Sequence, residues 1–500
     1  MTMPISPSDH RPMMPTADFA VFAVVAFLLA LRLVIIAISP LGLDVEEAQY
    51  WQWSTTPDLG YFTKPPMIAW LIGLSTSLFG SHEFGVRAFA PIIQAVTAII
   101  MVLIGRNMGG ASVGRWAAVI WISLPVTAIG GYIISTDSPM IMFLLMAMVL
   151  LSPMAKGQSI SIQSAFIAGL MLGAAMMAKY AAVYFLVGLG IWWLWQGRHI
   201  KPVDGASSQA RKTPIKIFVF TLGAIAILAP NLVWNLNNGF VTVGHLGDNA
   251  NLDETVLSVR RSLEFIISQM GVVGPVIAGL AVVAIWRMRA NPTARFWIAL
   301  GIPALVVVTA QSFRADANAN WAVASWPPLI ILTAMFIAEA SKRLKQFAIA
   351  GVAINASLVL VVLIATIMGH FGPLTPASDP LRRLRGWDQH YQDLAEFTAT
   401  HQAEAIVTTR RAHIAKMMWQ HRKNPLPIEL LDANGVPQNH FEQKYPWQAK
   451  ANRTIILINQ DATPPDLEQI EWQSIQTQSK VKISAKRDRV LIYHLGVEKP

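Results

Sequence analysis

The residues best suited to chemistry lie just after the first apolar run of the chain. Asp44, Glu46 and Glu47 follow that run closely, and Lys64 comes 17 residues after the last of them. Carboxylates beside a membrane are costly to desolvate, so we expect them to act on an ion or a substrate. A carboxylate can accept a proton from a hydroxyl group, and a lysine can bind a phosphate. This stretch is therefore the first candidate for a reaction site.

Other polar residues lie between later apolar runs. Asp137 precedes Pro139, where it either adds a second carboxylate or caps a helix. Arg260 and Arg314 either add to an anion site or face lipid headgroups. Asn320 either lines a polar substrate surface or begins a helix.

The spacing of the first acidic residues predicts a helix that starts near Asp44. On such a helix Glu47 shares a face with Tyr50 and Trp51, and Glu46 lies one turn before Tyr50. Acidic residues at a helix start and aromatic residues at a membrane surface also have structural uses. The second acidic turn and the loop lysine favour the functional interpretation.

The composition predicts a protein that crosses a membrane several times. The 500 residues are 54% hydrophobic and only 14% charged, with a mean hydropathy of +0.44, whereas about 25% of the residues in a soluble domain are charged. The net charge of +10 comes mostly from short loops between apolar runs, so we predict contacts with membrane lipids and none with nucleic acid. The absence of cysteine excludes disulfides, thiolate metal sites and thiol nucleophiles.

We predict a mainly α fold, a bundle of about eleven transmembrane helices. The run Met67–Phe79 has 13 residues and reaches about 20 Å, too short for a core of roughly 30 Å, so we expect it to lie in the membrane interface. Two runs separated by Lys179 are expected to form a tight hairpin. The predicted spans are 19–39, 84–105, 116–134, 138–153, 162–178, 180–196, 215–234, 271–286, 296–312, 323–340 and 346–369.

The distribution of basic residues predicts the orientation of these spans. With the amino terminus inside, the inner loops hold fourteen lysines and arginines and the outer segments between spans hold six, which is the asymmetry expected for cytoplasmic loops. The acidic stretch, the Asp137 turn and the segment 235–269 then face outward. We therefore expect an inner-membrane protein with its reaction site on the periplasmic side.

The composition changes near residue 371, where apolar runs of membrane length end. We predict a transmembrane domain over 1–370 and a small periplasmic α/β domain over 371–500. Helical spacing occurs in DLAEFTAT and RAHIAKMMWQ, and strand-like runs are AIVTT, LPIELL, RTIILIN and RVLIYHL. No glycine-rich nucleotide fingerprint joins a strand to a helix.

Several of these motifs occur in the order known from one enzyme family. The chain resembles glycosyltransferase family 39, in the GT-C superfamily, which includes protein O-mannosyltransferases and the aminoarabinose transferases that modify lipid A. Its similarity is greatest to the bacterial branch that uses polyprenyl-phosphate sugars. The motifs are EEAQYWQWS (Glu46 to Ser54), LGYFTKPP (Leu59 to Pro66), Phe79 and Gly80 with Arg87, the TDSP turn (Thr136 to Pro139), and the pair Asn320 and Trp321.

The resemblance implies a sugar transfer from a polyprenyl-phosphate donor to a hydroxyl group of lipid A, another glycan or a protein. Lys64 would bind the donor phosphate, and a carboxylate would act as the base of an inverting displacement. The catalytic aspartate of the family corresponds by register to Glu46, whereas Asp44 matches it by side-chain type. Asp137 would orient the acceptor or the base.

The resemblance also implies substrate contacts for Tyr50, Tyr61 and Arg87. In the aminoarabinose transferases a glutamate before the motif lysine helps to bind a metal, but this chain has Thr63 there. We therefore predict no cofactor and regard a divalent metal as doubtful.

Two other functions fit the same features. A transporter or lipid flippase could use the carboxylates as an ion or substrate site, and a scaffold could bind partners through its tail. A transporter is expected to carry charges in mid-span, whereas the acidic residues here lie at one edge. These positions favour the transferase.

Overall fold

The structure, a computed structural model, describes residues 16–197, 207–250, 257–372, 379–423, 426–432, 435, 437–484 and 487–500. Helices dominate it up to Met368, and a small mixed domain follows. The helices are α1 (Thr16–Ile38), α2 (Val45–Thr55), α3 (Met67–Phe79), α4 (Glu83–Arg87), α5 (Phe89–Ser123), α6 (Pro125–Gly130), α7 (Asp137–Ala155), α8 (Ile162–Ala178), α9 (Val183–Gly197), α10 (Ser207–Asn237), α11 (Val241–Ala250), α12 (Val259–Val273), α13 (Pro275–Met288), α14 (Pro292–Ser312), α15 (Trp326–Glu339), α16 (Lys342–Met368), α17 (Trp387–His401), α18 (Arg411–Gln420) and α19 (His440–Lys444).

Helices lie at each of the eleven predicted spans, but fewer meet the requirements of a crossing by length and composition. Within the described residues seven helices do so, or eight if α12 and α13 form one bent span. The helices α3, α8 and the run from Tyr180 through α9 are apolar but shorter. The predicted membrane bundle is thus confirmed, while the count of eleven stays a prediction.

The longest helical run, α5, is a hairpin. Gly109 and Gly110 leave the helical conformation, and Gly110 has a φ of 80°, which residues with a Cβ rarely adopt. The chain then folds back so tightly that a Cβ on Gly105 would lie 2.6 Å from the Cα of Gly114. The reversal lies between the two spans that the sequence predicts here.

The predicted hairpin at Lys179 is wrong. The helix α8 packs against α7 and α10, whereas α9 packs against α14. Lys179 is extended, with φ −160° and ψ 130°, so the two helices leave it toward different neighbours. Small residues allow α8 and α10 to pack closely. A Cβ on Gly169 would lie 2.0 Å from the carbonyl oxygen of Phe220, so this position has no room for a larger residue.

The predicted outer segment 235–269 is largely helical in its described part. The helix α12 buries Phe265 and Gln269 and exposes Arg260. It ends at Gly274, whose φ of 84° starts a 105° bend into α13. Asn355 donates its amide to the last carbonyl oxygen of α12 at 2.8 Å, which satisfies a group that the helix end leaves open.

The C-terminal domain is a five-stranded mixed sheet, as the predicted α/β class requires. Its order is β2-β1-β3-β5-β4, with β1 parallel to β2 and β3, and β5 antiparallel to β3 and β4. Strand β4 is not predicted from the sequence, because its mostly exposed, polar residues lack apolar alternation. The strands are β1 (Ala405–Thr408), β2 (Ile428–Leu430), β3 (Thr454–Asn459), β4 (Ile470–Ser484) and β5 (Arg487–Glu498).

The C-terminal domain shares a hydrophobic core with the helices α2 and α3. Trp53 and Ile68 belong to the same buried cluster as Trp419 and Ile456. Trp51 meets Trp419 edge to face, with ring centroids 4.9 Å apart, an arrangement that contributes about 0.5–1.5 kcal/mol beyond area burial. The helix that carries the predicted carboxylates is therefore held by both parts of the chain.

Candidate active site

The helix α2 starts at Asp44 because the first residues form a capping box. The Asp44 carboxylate accepts a hydrogen bond from the amide of Glu46 at 3.1 Å, and Glu47 accepts one from the amide of Asp44 at 2.8 Å. These bonds satisfy N–H groups that a helix start leaves open. The Asp44 carboxylate is thus engaged in capping. Its negative charge acts on Lys416 of α18 and opposes the effect of burial, which lowers the pKa of Lys416 to about 7.

Glu47 and Arg87 form a buried ion pair. Arg87 Nε and Nη2 donate to the two Glu47 oxygens at 2.9 and 2.6 Å. The remaining donors of Arg87 reach the carbonyl oxygens of Leu41 and Gly42 and the Tyr132 hydroxyl. All five N–H donors of the guanidinium are thus engaged within the protein, which favours a structural role for Arg87 over the predicted substrate contact. The same pairing favours a structural role for Glu47 over the predicted catalytic one.

Glu46 is the carboxylate on α2 that stays open to solvent. The Tyr50 hydroxyl donates to Glu46 Oε2 at 3.0 Å, and the rest of the Glu46 side chain is exposed. Burial, followed by the charge of Glu46, raises the pKa of Tyr50 well above its usual value. Tyr50 therefore remains a donor and orients a carboxylate that a substrate can reach.

Asp137 lies in a second polar cluster. Its two oxygens contact Lys179 Nζ at 2.6 Å and the Asn320 amide at 2.7 Å. Asp137 begins α7, Lys179 separates α8 from α9, and Asn320 lies in a 3₁₀ turn over Ala319–Ser325. The structure thus joins two predicted site residues, Asp137 and Asn320, and adds Lys179.

Lys64 links the two acidic clusters electrostatically. Burial and then the positive charge of Lys179 lower the pKa of Lys64, while Glu46 and Asp137 raise it. Among the described residues, no hydrogen bond or ion pair engages the Lys64 ammonium group. A half-buried lysine of this kind gains strongly from an incoming phosphate.

Tyr61 supports the turn that presents Lys64. Its hydroxyl donates to the carbonyl oxygen of Trp53 at 2.9 Å, and its ring stacks on Trp53 with centroids 4.5 Å apart. Its amide donates to the carbonyl oxygen of Lys64 at 3.1 Å. Burial raises the pKa of Tyr61 to about 12. These contacts give Tyr61 a supporting role, and its substrate contact stays a prediction.

The predicted arginines of the outer segments lie elsewhere. Arg260 pairs with Glu264 on the exposed face of α12 at 2.7 Å, and Arg314 is exposed after α14. In the described ranges no hydrogen bond or ion pair connects either side chain to α2, Lys64 or Asp137. The predicted contribution of both arginines to the anion site is therefore not supported.

Two residues near the site are missed by sequence reasoning. Lys179 is the lone charge between two apolar runs, a signal that could have identified it. Arg411 of α18 donates to Gln49 Oε1 at 2.6 Å, although 362 positions separate them. No local pattern reveals such a contact.

The described residues do not fit a metal site. Among them, no group of three or more histidine, aspartate or glutamate side chains comes close enough to hold an ion. Thr63 occupies the position where the resemblance implies a glutamate ligand.

Two cavities adjoin the site where α2 and its following loop meet the C-terminal domain. The larger, about 650 Å³, is lined by Trp51, Arg422 and Lys444, among others. The smaller, about 320 Å³, is lined by Asp58 and Tyr61, and Lys444 borders both. Neither is lined by Glu46, Lys64 or Asp137, so they neighbour the reaction site rather than contain it.

The chain is similar to known membrane glycosyltransferases in sequence and in fold. Residues 63–234 match the family model described as dolichyl-phosphate-mannose-protein mannosyltransferase. The chain is 30% identical over 463 residues to lipid A galacturonosyltransferase RgtD of Rhizobium johnstonii, covering 90% of this chain and 94% of that protein. The fold resembles ArnT from Cupriavidus metallidurans bound to undecaprenyl phosphate, with a TM-score of 0.65, 14% identity, and coverage of 96% and 98%.

A second solved fold is more distant. An oligosaccharyltransferase from Archaeoglobus fulgidus in the apo form has a TM-score of 0.51 at 11% identity, covering 88% of this chain and 69% of that one. At such identities the structural similarity concerns the fold alone.

The membrane bundle and the similarity to RgtD over nearly the whole chain define a membrane glycosyltransferase. The chain belongs to glycosyltransferase family 39, in the GT-C superfamily. This membership does not favour the transporter or flippase alternative.

Proposed function

We propose that this protein transfers a hexuronic acid from a polyprenyl phosphate to a hydroxyl group of lipid A on the periplasmic side of the inner membrane. The acceptor and the sugar class are those named for RgtD, which matches nearly the whole chain. The distribution of basic loop residues supports the orientation. The observation that carries the proposal is the exposed Glu46 carboxylate, whose charge acts on Lys64, a lysine that makes no hydrogen bond or ion pair with the residues that the structure describes.

Glu46 is the proposed general base. Asp44 caps α2, Glu47 is neutralised by Arg87, and Asp137 is held by Lys179 and Asn320. Among the described residues, Glu46 accepts a side-chain hydrogen bond from the neutral phenol of Tyr50 alone, so it keeps the capacity to accept a proton. This contrast favours Glu46 over Asp44.

Lys64 is the proposed phosphate ligand. The acceptor oxygen forms a bond to the anomeric carbon while the bond from that carbon to the phosphate oxygen breaks. The acceptor proton moves to Glu46, and the electron pair leaves with the polyprenyl phosphate. The leaving phosphate gains negative charge, which Lys64 stabilises. This single displacement inverts the anomeric configuration.

Asp137 is proposed to orient the acceptor. Its oxygens are held by donors from two other segments, so a hydroxyl that approaches it meets a fixed acceptor of hydrogen bonds. Such positioning lowers the entropic part of the barrier.

A reconstituted assay tests the proposal. Purified protein in lipid nanodiscs would be incubated with lipid A and a labelled uronic acid linked either to undecaprenyl phosphate or to a nucleoside diphosphate. We expect labelled lipid A, detected by mass spectrometry, from the lipid-linked donor alone.

Two results would contradict the proposal. Transfer from the nucleotide sugar would remove the need for a lipid donor. Movement of the lipid-linked sugar across the membrane of reconstituted vesicles, without transfer of the sugar to lipid A, would favour a flippase.

A further inference from the structure

The C-terminal domain reaches the proposed site through the first residue of α18. Arg411 Nη1 donates to Gln49 Oε1 at 2.6 Å. Gln49 is buried on α2 and follows Glu46 by three residues, so both lie on one face of that helix. Arg411 is therefore fixed next to the proposed base.

The charge of Arg411 acts on residues of the site. Burial and the charge of Glu46 raise the pKa of Tyr50, and Arg411 opposes this rise. Burial and Lys179 lower the pKa of Lys64, and Arg411 lowers it further. Arg411 thus belongs to the same electrostatic environment as Glu46 and Lys64.

Several contacts along α18 hold Arg411 in place. Lys416 Nζ donates to the carbonyl oxygen of Leu43. Trp419 Nε1 donates to Glu83 at 3.1 Å, and Arg422, just after the helix, donates to the carbonyl oxygen of Ser81 at 3.0 Å. An arginine anchored in this way has lost much of its side-chain and backbone freedom before any ligand binds.

Arg411 is the cation of the site that has neither an ion-pair partner nor an assigned ligand among the described residues. Lys179 is paired with Asp137, and Lys64 is the proposed ligand of the donor phosphate. In the described ranges the one polar partner of Arg411 is the neutral amide of Gln49. A guanidinium without an ion pair is well suited to bind a carboxylate or phosphate.

We propose that Arg411, held by Gln49, binds an oxyanion of the substrates other than the donor phosphate. This oxyanion is the carboxylate of the uronic acid or a phosphate on the acceptor saccharide. The inference rests on the proposed function. It follows from the position of α18, which belongs to the C-terminal domain outside the bundle and packs on α2, the helix that carries Glu46.

The test compares Arg411→Gln and Arg411→Lys with Arg410→Gln, a matched control at the exposed neighbouring arginine. Each full-length protein, in nanodiscs, would be assayed with a uronic acid or a neutral hexose on the donor, and with phosphorylated or dephosphorylated lipid A. We expect Arg411→Gln to raise KM for the substrate with the oxyanion by at least about tenfold, with little change in kcat. Arg411→Lys should restore part of the loss, and Arg410→Gln should match the wild type.

The ligand is identified by the substrate whose KM does not change in Arg411→Gln, because that substrate lacks the oxyanion that Arg411 binds. Insensitivity of the neutral donor points to the sugar carboxylate, and insensitivity of the dephosphorylated acceptor points to the acceptor phosphate. Equal loss with all four substrate pairs, or no loss with any, would overturn the inference.

Two further measurements separate this inference from folding and from the proposed function. Gln49→Ala keeps Arg411 but removes its anchor, so it should reproduce the KM effect in a folded protein if Arg411→Gln is unstable. Calorimetric titration with the same donors and acceptors measures their binding to the wild type and to Arg411→Gln without turnover. Absence of transfer by the wild type with every substrate pair would contradict the proposed function, while the titration would still test Arg411.

Discussion

At the residue scale, the environment of each carboxylate separates those that hold the structure from those available for chemistry. Asp44 accepts a hydrogen bond from a backbone amide, Glu47 accepts hydrogen bonds from a guanidinium, and Glu46 accepts one from a phenol. These three residues lie within four positions of one another, yet a single one is exposed. The type of partner, rather than the type of acid, assigns the proposed base.

A pair of substitutions at Asp44 tests its capping role. Asparagine caps helices about as well as aspartate, whereas alanine costs about 1 kcal/mol. We therefore expect Asp44→Asn to keep the wild-type unfolding temperature and kcat, and Asp44→Ala to lower the unfolding temperature. Loss of turnover in a stable Asp44→Asn protein would instead make Asp44 the base.

The buried pair of Glu47 and Arg87 should matter for folding. Arg87→Met leaves the Glu47 carboxylate buried without its cation, at a cost of about 3–5 kcal/mol. Thermal unfolding in detergent should show this loss, and Glu47→Leu combined with Arg87→Met should lose less than the sum of the single changes. A stable Arg87→Met protein with a raised donor KM would restore Arg87 as a substrate ligand.

The sequence predicts part of this site and not the rest. The spacing of Glu46 and Tyr50 on one helix and the positions of Asp137 and Lys64 at the ends of apolar runs are local patterns. The pairing of Glu47 with Arg87 joins residues 40 positions apart, and the Arg411 contact depends on how two domains pack. Neither contact leaves a periodic signal in the chain.

At the element scale, α2 connects the membrane bundle to the C-terminal domain. Its first residues pair with Arg87 before α5, and its aromatic residues enter the core of α18 and the sheet. A helix clamped from two sides keeps Glu46 in a fixed position, which general base catalysis requires. The packing of α18 on α2 should therefore affect both stability and activity.

Lys416 makes that packing sensitive to pH. Burial lowers its pKa to about 7 in the folded protein, from 10.5. Between these values the unfolded chain binds more protons, so the contribution of Lys416 to the free energy of unfolding rises with pH across this window. Below this pH window Lys416 is protonated in both the folded and the unfolded protein, so the folded protein bears the full free-energy cost of the buried charge.

Substitution of Lys416 by methionine should remove this dependence. We expect the unfolding temperature of Lys416→Met to exceed that of the wild type most near pH 6.5, with the difference shrinking toward pH 9.5. A difference that stays constant over this range would contradict the pKa shift.

Elements are predicted well where their pattern is apolar and local. The strands β1, β2, β3 and β5 and the helix α18 follow such patterns, whereas β4 is a polar strand at the sheet edge. The course of α8 and α9 around Lys179 depends on packing partners far along the chain. Sequence spacing alone cannot specify it.

At the scale of the whole molecule, the proposed reaction requires that the site and the C-terminal domain face the same side of the membrane. The shared core of α2 and α18 supports this requirement. Reporter fusions at Gly157, in the exposed turn after α7, and at Ala451, exposed before β3, test the orientation. We expect a cytoplasmic signal at Gly157 and a periplasmic signal at Ala451. Equal signals would contradict it.

The most direct test of the central claim separates donor binding from turnover in Glu46→Gln. Because a base acts mainly in the transition state, we expect this variant to bind the polyprenyl-phosphate sugar within about twofold of the wild type. Its transfer rate should fall by about 10²- to 10⁴-fold, while Lys64→Ala should weaken donor binding. Wild-type turnover by a folded Glu46→Gln protein would contradict the assignment of this site.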